Sequence, residues 1–111
     1  MNPIISFDDF SKIDLRIGTI IDVLEHERAH KSAYILTIDF GDLGTKKSSA
    51  QITSLYSKND LLERQIIANV NFSNKQIANF VSECLVLGAV KNFKVVLLSP
   101  EVSVPNGTPV R

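Results

Sequence analysis

The chain has 111 residues, which is the length of one domain and too short for two domains of ordinary size. Hydrophobic residues make up 44% and charged residues 22%, a composition that excludes a disordered chain, and the apolar runs are too short to cross a bilayer. Twelve basic and twelve acidic side chains cancel, which excludes a strong overall attraction to polyanions.

The charges are nevertheless distributed unevenly along the chain. Residues 1–44 hold four bases and eight acids, a net charge of −4, whereas residues 45–94 hold seven bases and three acids, a net charge of +4. A fold that keeps these segments apart presents a basic patch, and a fold that intermixes them removes the polarity. Both outcomes stay open at this point.

The first residues give no sign of a secretory signal. The acids Asp8 and Asp9 stand where such a signal has its apolar region. The single cysteine, Cys84, cannot form an internal disulfide, as is usual in a reducing compartment. We therefore expect a cytoplasmic location and no insertion into a membrane.

The first predicted elements are a short helix and a long strand. Ser6 is a preferred N-cap residue, and the acid Asp9 follows it by three positions, so a helix begins here. From residue 14 to residue 26 the pattern has a period of two, which predicts a strand with a bend or bulge at Gly18. One face of this strand is predicted to carry Leu15, Ile17, Thr19, Ile21 and Val23.

Further short strands follow, separated by turns. The predicted segments are a strand over 34–40, a turn over 41–45, a short strand over 46–52, a short helix or turn over 53–62, a strand over 66–72, a polar loop over 73–83, and two buried-type strands over 85–90 and 95–98 joined by a hairpin connection. Within 66–72 the alternation places Asn69 and Asn71 on the polar face, with Val70 and Phe72 pointing inward. Together these elements predict a small all-β barrel or sandwich, a single domain over residues 1–111.

The search for catalytic residues is negative. The sequence has no glycine-rich phosphate loop and no metal-ligand spacing of cysteine and histidine. His26 and His30 are four residues apart in a polar connection, where two exposed loop histidines are expected. Cys84 precedes an apolar strand and is expected to be a small buried thiol. We therefore expect no catalytic residue, no metal and no cofactor.

The polar segments of the basic half are more informative. Residues 46–51 place two lysines beside serine and glutamine, and further polar side chains follow at Asn69, Asn71, Lys75, Ser82 and Glu83. Lysine neutralises phosphates, while amides and hydroxyls bond to sugars and base edges. The aromatic candidates for base stacking are Tyr56, Phe72, Phe80 and Phe93, most of which we expect in the core. The alternative is an ordinary solvated barrel rim.

Taken in order, these segments resemble the stand-alone tRNA-binding domain family, and within it the CsaA-like branch. Related domains stand at the C terminus of bacterial methionyl-tRNA synthetase. The residues that carry the resemblance run through nearly the whole chain: Phe10-x-Lys12-x-Asp14-x-Arg16-x-Gly18-x-Ile20, Ile38-Asp39-Phe40-Gly41, Lys47-Ser48-Ser49-Ala50-Gln51-Ile52, Val70-Asn71-Phe72, Ile77-Ala78-x-Phe80-x-Ser82-Glu83, Leu85-x-Leu87-Gly88, Val96-Leu97-Leu98-x-Pro100 and Pro105-Asn106-Gly107.

The resemblance implies a five-stranded barrel of the oligonucleotide-binding (OB) fold with a short N-terminal helix. It also implies a homodimer formed by terminal extensions, here residues 2–12 and 100–111. The proline-punctuated tail supports the dimer, because a lone barrel has little reason to keep it ordered. The RNA-binding positions that the resemblance implies are Lys47, Ser49, Gln51, Asn71, Lys75 and Ser82, with Glu83 in the same loop.

Two functions follow from the resemblance, and both stay open. One is non-catalytic tRNA binding by a homodimer through a basic and polar rim. The other is a chaperone that binds unfolded or precursor polypeptides in protein export, with little or no RNA binding. The loop that usually contains Pro-Pro-Arg-Arg in CsaA-like proteins is Ser73-Asn74-Lys75-Gln76 in this chain, which keeps one of the two cations.

Overall fold

The computed structural model describes residues 1–29, 31–77 and 79–111, with Ile77 described by its backbone alone. His30, which the sequence spacing pairs with His26, and Ala78 lie outside the described residues. In chain order the elements are α1 (Phe7–Ser11), β1 (Leu15–Glu25), β2 (Tyr34–Asp39), β3 (Thr45–Ala50), α2 (Lys58–Leu61), β4 (Gln65–Asn69), β5 (Lys75–Ile77), β6 (Phe80–Ser82), β7 (Leu85–Val86), β8 (Gly88–Lys91), β9 (Lys94–Leu97) and β10 (Pro109–Val110). A single turn of 3-10 helix, Gly41–Leu43, connects β2 to β3.

Five strands form one antiparallel sheet in the order β3-β2-β1-β4-β7, and β10 pairs with the start of β1. The sheet curls until its two edges meet. At the closure, the N–H of Glu83, between β6 and β7, donates to the carbonyl of Lys47 on β3 at 2.7 Å. The result is a nearly closed five-stranded barrel with a short N-terminal helix. The predicted all-β fold class is therefore confirmed.

The core fills the inside of this barrel. The strand predicted over 34–40 alternates strictly, so that Leu36, Ile38 and Phe40 are fully buried. Ile20 from β1 and Ile66 from β4 pack in the same cluster. Leu61 on α2 is also fully buried in this cluster, which explains why a one-turn helix is kept between β3 and β4.

Helix α1 begins at the cap predicted for it, and α2 has a cap of the same kind. The N–H of Asp9 donates to the Ser6 hydroxyl at 3.1 Å, which caps α1. At α2, Ser57 and Asp60 each accept a hydrogen bond from the other's backbone N–H, at 3.3 and 2.8 Å. Hydrogen bonds that the backbone N–H and the side chain of Ser57 make to the Asp60 carboxyl hold its pKa below the ordinary value, because they stabilise the ionised carboxylate.

The alternation predicted for β1 is wrong after Ile20. The register with β2 shifts there, because Ile20 pairs with Ile38 while Asp22 pairs with Thr37, and this leaves Ile21 as an extra, exposed residue. A bulge of this kind bends a strand and moves the following side chains to the other face. Ile20 and Val23 are therefore both buried. The observed bulge is therefore at Ile21, three residues after Gly18, the position at which the sequence predicted it.

Gly18 instead leaves room for core side chains, because it has no Cβ. A Cβ on this residue would lie 2.7 Å from Cε1 of Phe40 and 2.6 Å from Cγ2 of Ile38. The ring of Phe40 therefore occupies the volume where any other residue at position 18 would place its first side-chain carbon.

Two expectations for the second half of the chain are corrected. The segment 73–83 contains the hairpin of β5 and β6 in addition to polar loop. The strands β8 and β9 form a separate hairpin that is largely exposed, although their sequence is typical of buried strands. Asn92 and Phe93 form its two-residue turn with positive φ angles of 51° and 65°, and Phe93 is 98% exposed. Apolar composition predicts burial only where another element covers the strand.

The C-terminal tail is bound to its own barrel, contrary to the expectation that a lone barrel would leave it free. The Gln65 side chain accepts a hydrogen bond from the N–H of Val104 at 3.1 Å and donates one to its carbonyl at 2.7 Å. The N–H of Gly107 donates to the carbonyl of Ile17 at 2.7 Å, and β10 then pairs with β1. The order of this segment therefore needs no second subunit.

We predict that Gly18→Ala destabilises the fold by about 1–3 kcal/mol, because the added methyl overpacks the core against Phe40. Urea unfolding followed by circular dichroism measures the loss. The double variant Gly18→Ala/Phe40→Leu should lose less than the sum of the two single variants, since the smaller side chain makes room for the methyl. Additive losses would show that the two residues do not compete for the same volume.

Candidate nucleic-acid interface

A groove of about 450 Å³ lies on the barrel where β3 meets β6 and the start of β7. We call it the β3–β6 groove. Its lining residues are Ser48, Ser49, Phe72, Ser73, Lys75, Ser82, Glu83, Cys84 and Leu85. Four of the predicted RNA-binding residues, Ser49, Lys75, Ser82 and Glu83, are thus brought together, although they come from segments more than 20 residues apart.

The other two predicted residues of this region are Lys47 on β3 and Gln51, which directly follows the last residue of that strand. Side chains alternate along a strand, so Lys47 and Ser49 share the outer face while Ser48 is buried on the other. Gln51 is exposed and lines a smaller groove of about 240 Å³, which shares Ser48, Ser49 and Leu85 with the first. The two grooves are therefore adjacent along β3.

Lys47 and Glu83 bind each other through the backbone and not as an ion pair. The Lys47 N–H donates to Oε1 of Glu83 at 2.9 Å, and the Glu83 N–H donates to the carbonyl of Lys47 at 2.7 Å. In residues 1–29, 31–77 and 79–111 the ion pairs are Lys12–Asp9 and Arg16–Asp14. The exposed ammonium groups of Lys47 and Lys75 are thus outside any ion pair of the described residues, and the Glu83 carboxylate is held in place.

Ser82 is buried in a small polar cluster beneath the groove. Its hydroxyl accepts a hydrogen bond from the N–H of Ser49 at 3.3 Å. The same hydroxyl lies 3.4 Å from Oγ of Ser48 and 3.3 Å from the carbonyl of Cys84, either of which can accept its proton. Ser82 therefore ties β6 to β3, and little of its side chain reaches the groove surface.

His26 is buried, so the expectation of an exposed loop histidine is wrong for it. Its Nδ1 lies 2.7 Å from Oγ of Ser49, within hydrogen-bond distance, and its ring contacts the ring of Phe80 edge-on. Its Nε2 has no hydrogen-bond partner among the described residues. His26 thus holds the hydroxyl of a predicted site residue, a role that only the tertiary structure shows, since Ser49 is 23 residues away.

Asn71 does not lie in the β3–β6 groove. Its side chain donates to the carbonyl of Lys12 at 2.6 Å and accepts from the N–H of Asp14 at 2.9 Å. It therefore ties the end of β4 to the connection between α1 and β1. Asn71 lines a different groove, of about 500 Å³, which lies between α1 and β10 and is lined also by Phe7 and Phe10.

Asn69 and Phe72 are both oriented differently from the prediction. Asn69 is buried, and its Oδ1 accepts hydrogen bonds from the N–H groups of Asn71 at 3.2 Å and Phe72 at 3.1 Å. Such a local bond replaces the strand ladder and turns the backbone. The alternation ends here, and Phe72 is 56% exposed in the β3–β6 groove instead of pointing inward. The sequence signal was the pair of asparagines at 69 and 71.

Cys84 is a buried thiol, as predicted. Burial is the main cause that raises the pKa of the Cys84 thiol to about 11; the nearby Lys46 ammonium and a hydrogen bond with Ser48 oppose this shift, and the Glu83 carboxylate adds to it. The thiol is therefore protonated at neutral pH and a poor nucleophile. Lys46 precedes Ser48, which lines the groove, by two positions on β3, so a third lysine lies close to the groove.

Within the described part of the chain, no cluster of three or more histidine, cysteine, aspartate or glutamate side chains is arranged to hold a metal ion. Among the helices of the same residues, none is long and apolar enough to span a bilayer.

A nearly closed five-stranded barrel, with a groove along β3 that combines apolar and polar side chains, defines a small β-barrel protein of the oligonucleotide-binding type. Residues 15–109 match the family described as "Putative tRNA binding domain", and the chain belongs to this family.

Solved structures and curated sequences agree with this family. The chain is similar to the chaperone CsaA of Bacillus anthracis str. Ames, with a TM-score of 0.94 and 49% identity over 98% of this chain and 100% of that one. It is equally similar to the CsaA chaperone protein of Picrophilus torridus, with a TM-score of 0.92 and 51% identity over 97% and 100% of the two chains. The chain is therefore a CsaA-like tRNA-binding domain protein.

The methionine–tRNA ligase of Thermococcus onnurineus (strain NA1) is 35% identical over 107 residues. This match covers 96% of the chain but only 14% of the ligase. The similarity thus concerns one small part of that enzyme.

We predict that Glu83→Ala destabilises the protein by about 1.5–3 kcal/mol, because the N–H of Lys47 loses a charged acceptor where the barrel closes. Glu83→Gln should lose less, since it keeps an oxygen at the same position. Urea unfolding measures both, with the exposed Glu101→Ala as the control for removing one negative charge. An unchanged unfolding midpoint for Glu83→Ala would show that the barrel closes without this bond.

Proposed function

We propose that the chain binds tRNA, without catalysing a reaction on it, through the β3–β6 groove and the adjoining outer face of β3. The observation that supports this most is the arrangement of Lys47 and Lys75. Both ammonium groups are exposed and outside the ion pairs of the described residues, and hydroxyl and amide groups lie between and beside them. Lysine side chains bind phosphates, and neutral hydroxyl and amide groups bind sugars and base edges. A cytoplasmic location, where tRNA is present, belongs to this proposal.

The seven site residues divide into two groups in this proposal. Lys47, Ser49, Gln51 and Lys75 contact the RNA. Ser82 and Glu83 hold β6 and β7 against β3, and Asn71 ties the end of β4 to the connection between α1 and β1. Variants of the second group therefore affect RNA binding through the shape of the groove and not through lost contacts.

The charge around the groove is modest. Lys46, Lys47 and Lys75 lie in or near it, and the carboxylate of Glu83 offsets one of them. Lys91 and Lys94 lie on the separate hairpin of β8 and β9. Only part of the net positive charge of residues 45–94 therefore surrounds the groove. We therefore expect weak binding with a small salt dependence.

The salt dependence of binding tests this proposal. We predict that Lys47→Ala/Lys75→Ala weakens the binding of total tRNA and reduces the slope of log K against log salt by roughly 0.7–0.9 per contacted phosphate. Filter binding across a salt series measures the slope. The matched control is Lys91→Ala/Lys94→Ala, which removes two exposed lysines from the separate hairpin and should keep the parent's slope.

An equal affinity of parent and Lys47→Ala/Lys75→Ala at every salt concentration would show that the β3–β6 groove is not the RNA site. A loss of slope in the Lys91→Ala/Lys94→Ala control would move the site to the hairpin of β8 and β9.

We propose as the alternative function a chaperone that binds unfolded or precursor polypeptides in protein export. The observation that favours it is a set of exposed apolar side chains on the terminal segments and the separate hairpin, namely Ile4, Ile5, Phe7, Val90, Phe93 and Val102. The similar structures from two organisms are named chaperones. Suppression of the aggregation of an unfolded protein, without any binding of tRNA, would favour this function over the first.

We also propose that two copies of the chain form a homodimer through residues 2–12 and 100–111. Ile4, Ile5 and Phe7 are exposed in the single chain, and Phe7 and Phe10 share the groove between α1 and β10 with Val110. This places an apolar surface on both terminal segments, and burying it against the same surface of a second copy removes it from water.

Sedimentation equilibrium tests the dimer. We predict about two chain masses at micromolar concentration for the parent and about one chain mass for Ile5→Asp/Phe7→Asp, since charge opposes burial in an apolar interface. The control Val90→Asp/Phe93→Asp changes two exposed apolar residues of the hairpin of β8 and β9, outside the proposed interface, and should remain a dimer. A parent that sediments as one chain mass contradicts the proposal.

A further inference from the structure

The β3–β6 groove contains an exposed aromatic ring that the polar site residues do not account for. Phe72 is 56% exposed and Leu85 is 49% exposed, and both line this groove together with Lys75 and Ser49. Exposed apolar surface within a polar groove costs free energy in the unbound protein. The groove thus combines an aromatic face, an aliphatic wall, a lysine and a hydroxyl, and a bound ligand would cover its exposed apolar surface.

We propose that Phe72 stacks on an unpaired base of the bound RNA, with Leu85 as the second apolar wall and Lys75 near the adjoining phosphate. This inference rests on the proposed function and specifies its ligand as a single-stranded ribonucleotide segment. A base within a helix is covered on both faces by its neighbours, so only an unpaired base offers a face to a phenyl ring. Stacking of this kind tolerates any base, because every base has a π face.

The backbone of Phe72 is positioned before any ligand binds. The buried Asn69 accepts the N–H of Phe72 at 3.1 Å and that of Asn71 at 3.2 Å. The Asn71 side chain is in turn bound to Lys12 and Asp14. A ring whose backbone is held in this way loses less conformational entropy on binding than one on a free loop.

Charge complementarity favours a nucleotide over an apolar peptide side chain as the occupant. Lys75 lines the groove, Lys46 lies close enough to affect Cys84, and Lys47 is exposed on the neighbouring face of β3. An apolar peptide gains nothing from three cations, whereas a nucleotide places its phosphate beside them and its base against Phe72.

Fluorescence of an introduced tryptophan tests the stacking directly, because the chain has no tryptophan of its own. In Phe72→Trp, addition of a single-stranded oligouridylate should quench the emission, and an RNA duplex of equal length should leave it unchanged. Phe93→Trp places the probe on the turn between β8 and β9, and we expect no quenching there. Equal quenching of both probes, or quenching of Phe72→Trp by the duplex alone, would overturn the proposal.

Affinities complete the test. Phe72→Leu keeps an apolar side chain but loses the π face, and we expect it to weaken oligouridylate binding on the order of tenfold. Phe72→Tyr, which keeps the ring, should bind as the parent does, and so should Phe93→Leu. Because Phe72 is exposed, these variants should fold, and their circular dichroism spectra check this.

The outcomes separate this inference from the function on which it rests. If tRNA binds and its salt slope depends on Lys47 and Lys75, but Phe72→Leu binds oligouridylate as the parent does, the groove binds RNA without stacking and this inference alone fails. If neither tRNA nor oligouridylate binds the parent, the proposed function fails as well. If an apolar peptide quenches Phe72→Trp and oligouridylate does not, the occupant is a polypeptide and the inference is wrong.

Discussion

The sheet closes into a barrel at a seam where Lys47 and Glu83 exchange two hydrogen bonds and Ser82 bonds to β3 beside them. Both backbone groups of Lys47 find partners across the seam, one in the backbone of Glu83 and one in its carboxylate. Without them the edge of β3 would present unpaired groups to other chains. Ser48 and Ser49 follow directly after Lys47, so the contact that closes the barrel also forms the wall of the β3–β6 groove. The seam that closes the barrel therefore also shapes the candidate site.

Local patterns predict the elements whose causes lie within the element. The cap at Ser6 and the alternation of β2 are of this kind, and both are observed. The bulge near Ile21 arises from the register between β1 and β2, a tertiary property that no pattern in β1 alone contains. The same holds for the hairpin of β8 and β9, since its composition is that of a buried strand and its exposure depends on what covers it.

The residues of the candidate site also divide into those whose place the sequence could predict and those whose place it could not. Exposed positions such as Lys47 and Lys75 could be predicted, because a charged side chain on the outer face of a strand or in a hairpin has few alternatives to solvent. The bonds of Ser82, Asn71 and His26 could not, since their partners lie 23 to 59 residues away in sequence. The resemblance identified positions but not which of them bind a ligand and which hold other residues in place.

The electrostatics of the groove limit how it can bind. Lys46, Lys47 and Lys75 lie in or near the groove together with one carboxylate, that of Glu83, which accepts the N–H of Lys47. So small a positive surplus gives only weak attraction to a polyanion. Under the proposed function, affinity beyond that would come from uncharged contacts, for which this groove offers the hydroxyl of Ser49 and the ring of Phe72.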